Sequence, residues 1–450
     1  MSQHQALSTV DSVTESDLRD VELTETETVN ENGGRNGAGG GYHNVMPAAE
    51  RQPSQSQSQS QQKSLRFKGT AFDESTLVWK EIVKFVDDGT EDKKQILFGV
   101  SGVAKPGEMV ALMGPSGSGK TTLLNVLGGR GRANMTGLVS INGRSFTKSM
   151  RKQIAYVLQE DIFYTELTVK QQLTITSHLR LPDTLSNEEK EAAVDHVIKT
   201  LRIKKCENTK ILLVSGGEKK RCNIGTELLT NPSILLLDEP TSGLDSTAAH
   251  ALINTMRFMA DEKMTIISSI HQPSSKVFYK FDKLILLADG HIAYCGPPSK
   301  CLEYLAKLNF SPPSDYNPAD FVMDLVNSDE EHTHGNDDDE ENPGEDIAKS
   351  VRKLLTDKWD NASTLREAED AYASVGGMGG EQAEGDDDDY EEFKYPSGYM
   401  TQFKVLFQRA LIISKGSVAK TTQLVQTLLI SCTYSYRNYY IMYIYADIMS

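Results

Sequence analysis

The 450-residue sequence has few cysteines and no long apolar run. Its five cysteines form no CxxC pair and no His spacing typical of zinc, which predicts reduced thiols in a cytosolic domain. The N-terminus lacks the charged-then-apolar layout of a secretory signal peptide. The uncharged stretch at residues 421–436 is shorter than the roughly 20 apolar residues that a spanning helix needs.

The sequence also lacks an excess of basic residues. The formal net charge is −16, and the two acidic tracts at residues 329–346 and 381–392 hold most of it, because neither contains a Lys or Arg. Outside these tracts the sequence is nearly neutral. Since nucleic-acid binding favours a basic stripe, no nucleic-acid partner is expected.

Composition divides the chain into four segments. Residues 1–64 carry a Gly-rich stretch and a Ser/Gln tract with few large apolar residues, which predicts a disordered tail. Residues 65–327 alternate apolar runs with helical patterns, as α/β domains do. Residues 328–398 are predicted to be an acidic linker with a short helical segment at 347–373. Residues 399–450 form an apolar and aromatic block.

Several strands can be predicted within residues 65–327. Residues 108–113 are a short apolar run that leads into glycines, and the unbroken apolar runs at 234–238 and 265–270 are typical of strands buried on both faces. Two further apolar runs flank Asp289-Gly290, which indicates a hairpin. Residues 169–201 are helix-like and 187–204 are amphipathic, which predicts a helical subdomain outside the sheet.

The strongest motif fits GxxxxGK[ST] and lies between an apolar run and a predicted helix. Its glycines let backbone N–H groups approach phosphate oxygens, and a helix N-terminus favours negative charge. Lys120 is predicted to reach the β- and γ-phosphates, and Thr121 to offer its hydroxyl to Mg²⁺. The predicted nucleotide-binding residues here are Gly114, Pro115, Ser116, Gly117, Ser118, Gly119, Lys120, Thr121 and Thr122.

A second motif is the apolar run that ends in Asp238 and Glu239. Asp238 is placed to hold Mg²⁺, directly or through water. Glu239 is placed to polarise the attacking water as a general base. An ordinary strand end with two solvated acids is the alternative, and the upstream phosphate-binding loop makes it the weaker one.

Four further motifs complete a resemblance to ABC ATPases. The run around Ser215 resembles their signature motif, Gln159 their Q-loop glutamine and His271 their switch histidine, while residues 238–245 resemble the D-loop. The resemblance implies an α/β fold with a mixed core sheet, an antiparallel β subdomain and a helical subdomain. It implies ATP and Mg²⁺ as cofactors, with Gln159 at the metal and His271 at the γ-phosphate.

The chain carries one set of these motifs, and in ABC ATPases two domains pair head to tail around ATP. The resemblance therefore implies a half-molecule that forms a homo- or heterodimer. Ser215, Gly217 and Glu218 would complete the site that the partner holds, whereas Lys120 and Glu239 would act in their own subunit.

Residues 121–130, 222–229, 269–275 and 317–321 resemble the G subfamily, the white–brown half-transporters. In those proteins the nucleotide domain precedes six membrane helices, which implies ATP hydrolysis powering export, a cytosolic nucleotide domain and a multi-pass membrane protein at full length. Residues 403–409 resemble the connecting helix on the membrane surface, and an amphipathic core helix is the alternative. Residues 424–431 are expected to begin a first span.

Two departures from the family pattern affect the functional prediction. The run at 206–214, before the signature, is several residues short and lacks the usual Arg-Gly. The aromatic residue that stacks on adenine is not identified, although Trp79 and Phe85 lie at plausible distances. The chain is expected to be a truncated or alternatively spliced transporter subunit. The alternatives are a non-transporting form that binds ATP and pairs with full-length subunits, and a soluble ABC ATPase.

Overall fold

The computed structural model describes residues 74–86, 93–131, 133–313, 316–327, 343–376 and 397–414. The predicted tail, most of the two acidic tracts and the apolar segment from residue 415 onward lie outside the described residues. The predictions made for them therefore stay predictions.

Ten strands are described, and they form two sheets. They are β1 Leu77–Val86, β2 Lys94–Ala104, β3 Met109–Met113, β4 Met135–Ile141, β5 Arg144–Ser145, β6 Ile154–Val157, β7 Ile234–Leu237, β8 Thr265–Ser269, β9 Lys283–Ala288 and β10 His291–Gly296.

The larger sheet has the order β10-β9-β3-β8-β7-β6. Its neighbours are parallel except for the β9–β10 hairpin. Strands β3, β7, β8 and β9 are buried along their whole length. For β7 and β8 this confirms the prediction made from their unbroken apolar runs. Asp289 and Gly290 form the hairpin turn with positive φ angles of 47° and 79°.

The smaller sheet is antiparallel, with the order β2-β1-β4-β5. Its inner face joins β3, β7 and the first helix in one core, and Trp79 is fully buried there. The predicted fold class is confirmed as a mixed α/β ATPase fold with an antiparallel subsheet.

Eleven α-helices are assigned among the described residues. They are α1 Lys120–Leu127, α2 Val169–Arg180, α3 Asn187–Thr200, α4 Gly216–Leu228, α5 Ser246–Asp261, α6 Ser275–Phe278, α7 Pro298–Lys307, α8 Pro318–Val326, α9 Pro343–Lys358, α10 Asn361–Ser374 and α11 Tyr399–Ser414. Short 3-10 turns occupy Lys148–Gln153, Lys204–Cys206 and Ile211–Leu213.

The helix-like stretch at 169–201 consists of two helices, α2 and α3. Each begins with a capping box, formed by Thr168 with Gln171 and by Ser186 with Glu189. The amphipathic pattern at 187–204 is longer than α3, which ends at Thr200. Residues 204–206 form a separate 3-10 turn. These helices and α4 share the core that lies against the other face of the larger sheet.

Helices α9 and α10 pack against the two sheets. Trp359, between them, makes edge-on contacts with the rings of Tyr294 and Tyr304. Glu367 on α10 accepts a hydrogen bond from the buried Lys283 of β9 at 2.9 Å. The single predicted helical segment at 347–373 is thus two helices, and Asp360 caps the second.

Helix α11 packs on the helical subdomain. Val405 lies in a small apolar cluster with Leu167 and Ile175. At the start of the helix, Asp183 accepts hydrogen bonds from the backbone N–H of Gly398 at 2.6 Å and from the hydroxyl of Thr401 at 3.0 Å. Within the described ranges, no helix combines the length and apolar character that a membrane span requires.

Candidate nucleotide-binding site

The phosphate-binding motif forms a tight loop between β3 and α1. Gly114 begins it at a φ of 149°, and a Cβ on this residue would lie 2.2 Å from the carbonyl oxygen of Leu287. Gly119 ends it in the left-handed region at a φ of 98°, directly before α1. No side chain caps α1, so its first backbone N–H groups are left for a ligand.

Lys120 reaches back across the loop that precedes it. Its Nζ donates hydrogen bonds to the carbonyl oxygens of Gly114 and Pro115, each at 2.8 Å. Burial lowers the pKa of Lys120, and the nearby charges of Glu239 and Asp238 oppose that shift. The loop therefore holds an ammonium group at its centre.

The loop fits a phosphate group on two observations. The hydroxyl of Ser118 is buried and has no hydrogen-bond partner among the described residues. At Gly117, with a φ of 78°, a Cβ would meet nothing within 4 Å, so the loop leaves open space beside its backbone. Phosphate oxygens would satisfy the free hydroxyl and occupy that space.

The two acids predicted to bind Mg²⁺ and activate water follow strand β7. Asp238 is 6% exposed, and its Oδ1 accepts a hydrogen bond from the hydroxyl of Ser269 at 2.7 Å. The backbone N–H of Glu239 donates to the same hydroxyl, also at 2.7 Å. Glu239 has a φ of 43°, which is uncommon for a residue with a side chain.

Gln159, which follows strand β6, meets Glu239 directly. Its Nε2 donates a hydrogen bond to Oε2 of Glu239 at 2.9 Å. Sequence reasoning predicted both residues for the site but predicted no contact between them, since they are 80 positions apart.

These residues surround one open cleft of about 920 Å³. The predicted residues that line it are Ser116, Gly117, Gly119, Lys120, Thr121, Thr122, Gln159, Glu239 and His271. Lining residues without a predicted role include Ile96, Thr241, Ser242, Gly243, Leu244, Ser246, Gln272 and Ser274. Gly114, Pro115, Ser118 and Asp238 do not line the cleft: they belong to the loop and strand end beside it.

Neither aromatic candidate for adenine stacking lines the cleft. Trp79 is fully buried in the core, where Gly102 packs against its indole ring. Phe85 lies on β1, outside the lining residues. The apolar side chain of β2 that lines the cleft belongs to Ile96, which sequence reasoning missed because it considered only aromatic residues.

The signature residues lie outside this cleft, at the start of α4. Ser215 caps the helix in a capping box with Glu218, and it is exposed. The backbone N–H of Ser215 and then its hydroxyl lower the pKa of Glu218. Gly217 is buried, and a Cβ there would lie 3.1 Å from that of Ala248 on α5. Their contact with a partner's nucleotide stays a prediction.

The short run at 206–214 begins at the last residue of the 3-10 turn Lys204–Cys206 and contains a second 3-10 turn, Ile211–Leu213. Ile211 is buried, and its backbone N–H donates to Leu167 at 2.8 Å. Leu212 and Leu213 are 69% and 72% exposed. The backbone of the run is therefore hydrogen-bonded to residues 165–167, which precede α2.

Comparison with known proteins shows two family matches within this chain. Residues 97–242 match the ABC transporter family, and residues 271–384 match the ABC-2 type transporter family. The chain is 43% identical to ABC transporter G family member 14 of Arabidopsis thaliana over 283 residues, which is 62% of this chain and 43% of that relative. It is 46% identical to G family member 22 of the same plant over 257 residues, or 56% of this chain and 34% of the relative.

A similar match extends to an animal protein. Protein white of Drosophila melanogaster is 40% identical over 245 residues, which is 52% of this chain and 36% of the relative. The chain thus spans less than half the length of the curated relatives that it matches.

Proposed function

We propose that the chain belongs to the G family of ABC transporters and is the ATP-binding and ATP-hydrolysing part of a G-type half-transporter, as its matches to that family support. One observation carries the proposal: residues from four separate motifs line the same cleft. Lys120 comes from the phosphate-binding loop, Gln159 follows β6, Glu239 follows β7 and His271 follows β8.

In the proposed reaction, the loop and the N-terminus of α1 bind the phosphates through backbone N–H groups. Lys120 exchanges its bonds to the loop carbonyls for phosphate oxygens. Thr121, Asp238 and Gln159 are the residues that would hold Mg²⁺, and the ion would supply positive charge against the phosphates. Glu239 accepts a proton from the attacking water, and His271 contacts the γ-phosphate.

A second nucleotide-binding domain is part of the proposal. Ser215 is exposed and does not line its own cleft, which supports a role at the site of another subunit. The capping box with Glu218 is complete although the preceding run is short, and this favours a catalytic half-transporter over the non-catalytic binder. The second subunit is either identical to this chain or another half-transporter.

We also propose that hydrolysis powers transport across a membrane. The match to ABC-2 type transporters supports this, and so does the presence of α11 where the connecting helix is predicted. The exposed Tyr399 and Met400 at the start of α11 suit a helix lying at a membrane surface.

Binding of a fluorescent ATP analogue to the purified chain tests the proposal. The Lys120→Met variant should lose affinity at least about tenfold, because the buried ammonium is the cation held by the loop. Lys300→Met, on the exposed face of α7, is the matched control and should bind like the unaltered chain. Equal binding by both variants would refute the assignment of this cleft.

A further inference from the structure

The hydroxyl of Ser269 lies between the two acids that the proposed reaction needs. The parallel register pairs Leu237 of β7 with Ser268 of β8. Asp238 follows Leu237 and Ser269 follows Ser268, so the two residues lie side by side at the carboxyl ends of the two strands. Because side chains alternate along a strand, Ser269 and Ser268 point to opposite faces of the sheet.

The Ser269 hydroxyl makes one hydrogen bond with each of the two acidic residues. It donates to Oδ1 of Asp238 at 2.7 Å and accepts from the backbone N–H of Glu239 at 2.7 Å. Ser269 is 0% exposed, so water does not compete for either bond. A hydroxyl can donate once and accept as well, which is the combination that this position requires.

Each of the two bonds fixes a different part of the site. The bond to Oδ1 restricts the rotation of the Asp238 carboxylate. The bond from the N–H stabilises the left-handed backbone of Glu239, whose φ of 43° is strained for a residue with a side chain unless its surroundings hold it. One side chain thus orients both the proposed metal ligand and the proposed general base.

We infer that Ser269 is a positioning residue for ATP hydrolysis: it orients Asp238 toward Mg²⁺ and Glu239 toward the attacking water. This rests on the proposed function. The positioning role of Ser269 does not extend to the phosphate-binding loop, because the hydrogen bonds that Lys120 makes in that loop do not involve strand β8. Loss of the hydroxyl should therefore weaken the response to Mg²⁺ and the hydrolysis step, and leave metal-free nucleotide binding intact.

The experiment compares the unaltered chain with Ser269→Ala and Ser268→Ala. The control is closely matched, because Ser268 is also 0% exposed on the same strand, and its hydroxyl bonds the carbonyl of Ser269 and neither acid. Binding of a fluorescent ATP analogue is titrated with Mg²⁺, and ATP hydrolysis is measured at saturating Mg²⁺. Thermal unfolding of each variant reports folding separately.

In Ser269→Ala, we expect the half-saturating Mg²⁺ concentration to rise about tenfold and turnover to fall about tenfold or more, since hydrogen bonds to charged groups are among the stronger ones. Analogue affinity without Mg²⁺ should stay within about twofold, and Ser268→Ala should match the unaltered chain. An unshifted Mg²⁺ requirement in Ser269→Ala, or an equal shift in Ser268→Ala, would overturn the inference.

A cysteine variant covers the case in which the alanine variant does not fold. Ser269→Cys keeps a side chain of similar shape with a weaker donor. We therefore expect a smaller rise in the half-saturating Mg²⁺ concentration and a smaller fall in turnover. A Mg²⁺ requirement and a turnover equal to those of the unaltered chain would overturn the inference. Failure of the unaltered chain to bind the analogue would instead refute the proposed function.

Discussion

The side-chain nitrogen of Gln159 donates a hydrogen bond to the carboxylate of Glu239 at 2.9 Å. The amide of a glutamine also carries an acceptor oxygen, so one side chain can hold the carboxylate and coordinate a cation. The structure thus connects the end of β6 with the end of β7 through the two side chains proposed for the metal and the base.

Replacing Glu239 by Gln should stop hydrolysis and preserve binding. The amide keeps the shape of the side chain but cannot take the proton from water, and general-base catalysis contributes about 10²–10⁴-fold. Phosphate release should fall at least about a hundredfold, with bound ATP retained on the protein. Glu160→Gln, at the exposed position that follows Gln159, is the control and should hydrolyse normally. Normal turnover in the Glu239 variant would remove this residue as the base.

Replacing Gln159 by Ala should reduce hydrolysis about tenfold, because Glu239 loses the bond that orients its carboxylate and Mg²⁺ loses a proposed ligand. Binding of the ATP analogue without Mg²⁺ should change less than about threefold. Gln153→Ala is the control, since this exposed residue lies at the other end of β6. Steady-state hydrolysis with both variants decides the matter, and equal rates would contradict the prediction.

Replacing Asp183 by Ala should loosen the start of α11. The helix loses the acceptor of the Gly398 N–H and the Thr401 hydroxyl, and loss of a capping acceptor typically costs about 1 kcal/mol. Hydrogen–deuterium exchange should accelerate in residues 399–413 and stay unchanged in β3 and β8.

Glu191→Ala is the control for the Asp183 variant. Glu191 lies in the same subdomain, but its ion pair with Lys170 is exposed and should contribute little. Equal exchange in the α11 peptides of the two variants would show that Asp183 does not anchor this helix.

Acidification should destabilise the fold through His291. Burial lowers the pKa of this residue below 6.5, and its ring stacks on Phe98 at a centroid distance of 4.5 Å. As the pH falls through 6.5, the unfolded chain binds a proton that the folded chain takes up only at lower pH. The free energy of unfolding therefore decreases through that window.

The melting temperature should be lower at pH 5.5 than at pH 7.5, and His291→Phe should show a smaller difference because it keeps a ring against Phe98 without a titrating group. Part of the difference should persist, since burial also lowers the pKa values of His178 and His196. The same pH dependence in the variant and in the unaltered chain would exclude His291 as a contributor.

Local patterns predicted the elements of the larger sheet well. An unbroken apolar run marks a strand with two buried faces whatever its neighbours are, so β7 and β8 were found from sequence. The apolar run before the glycines predicted β3, and the Asp289-Gly290 turn between two apolar runs predicted the β9–β10 hairpin. The residues at the ends of these strands were predicted for the same reason, because the motifs follow the runs directly.

Contacts between distant segments were not predictable in this way. The bond of Ser269 to Asp238 depends on the register of two strands 31 positions apart, which no local pattern encodes. The docking of α10 through Glu367 and Lys283 was missed because acidic flanks made the helix look like part of a linker. Trp79 has the right chemistry for adenine but faces the core.

The capping box at the start of α4 forms independently of the residues that precede it. Ser215 and Glu218 satisfy each other's hydrogen bonds within a single helical turn, without help from the 206–214 run. Residues can therefore be lost from that run and the turn still forms. A change in the length of the run alters the surface beside α4, where Leu212 and Leu213 are exposed in this chain. The turn formed by Ser215 and Glu218 is kept.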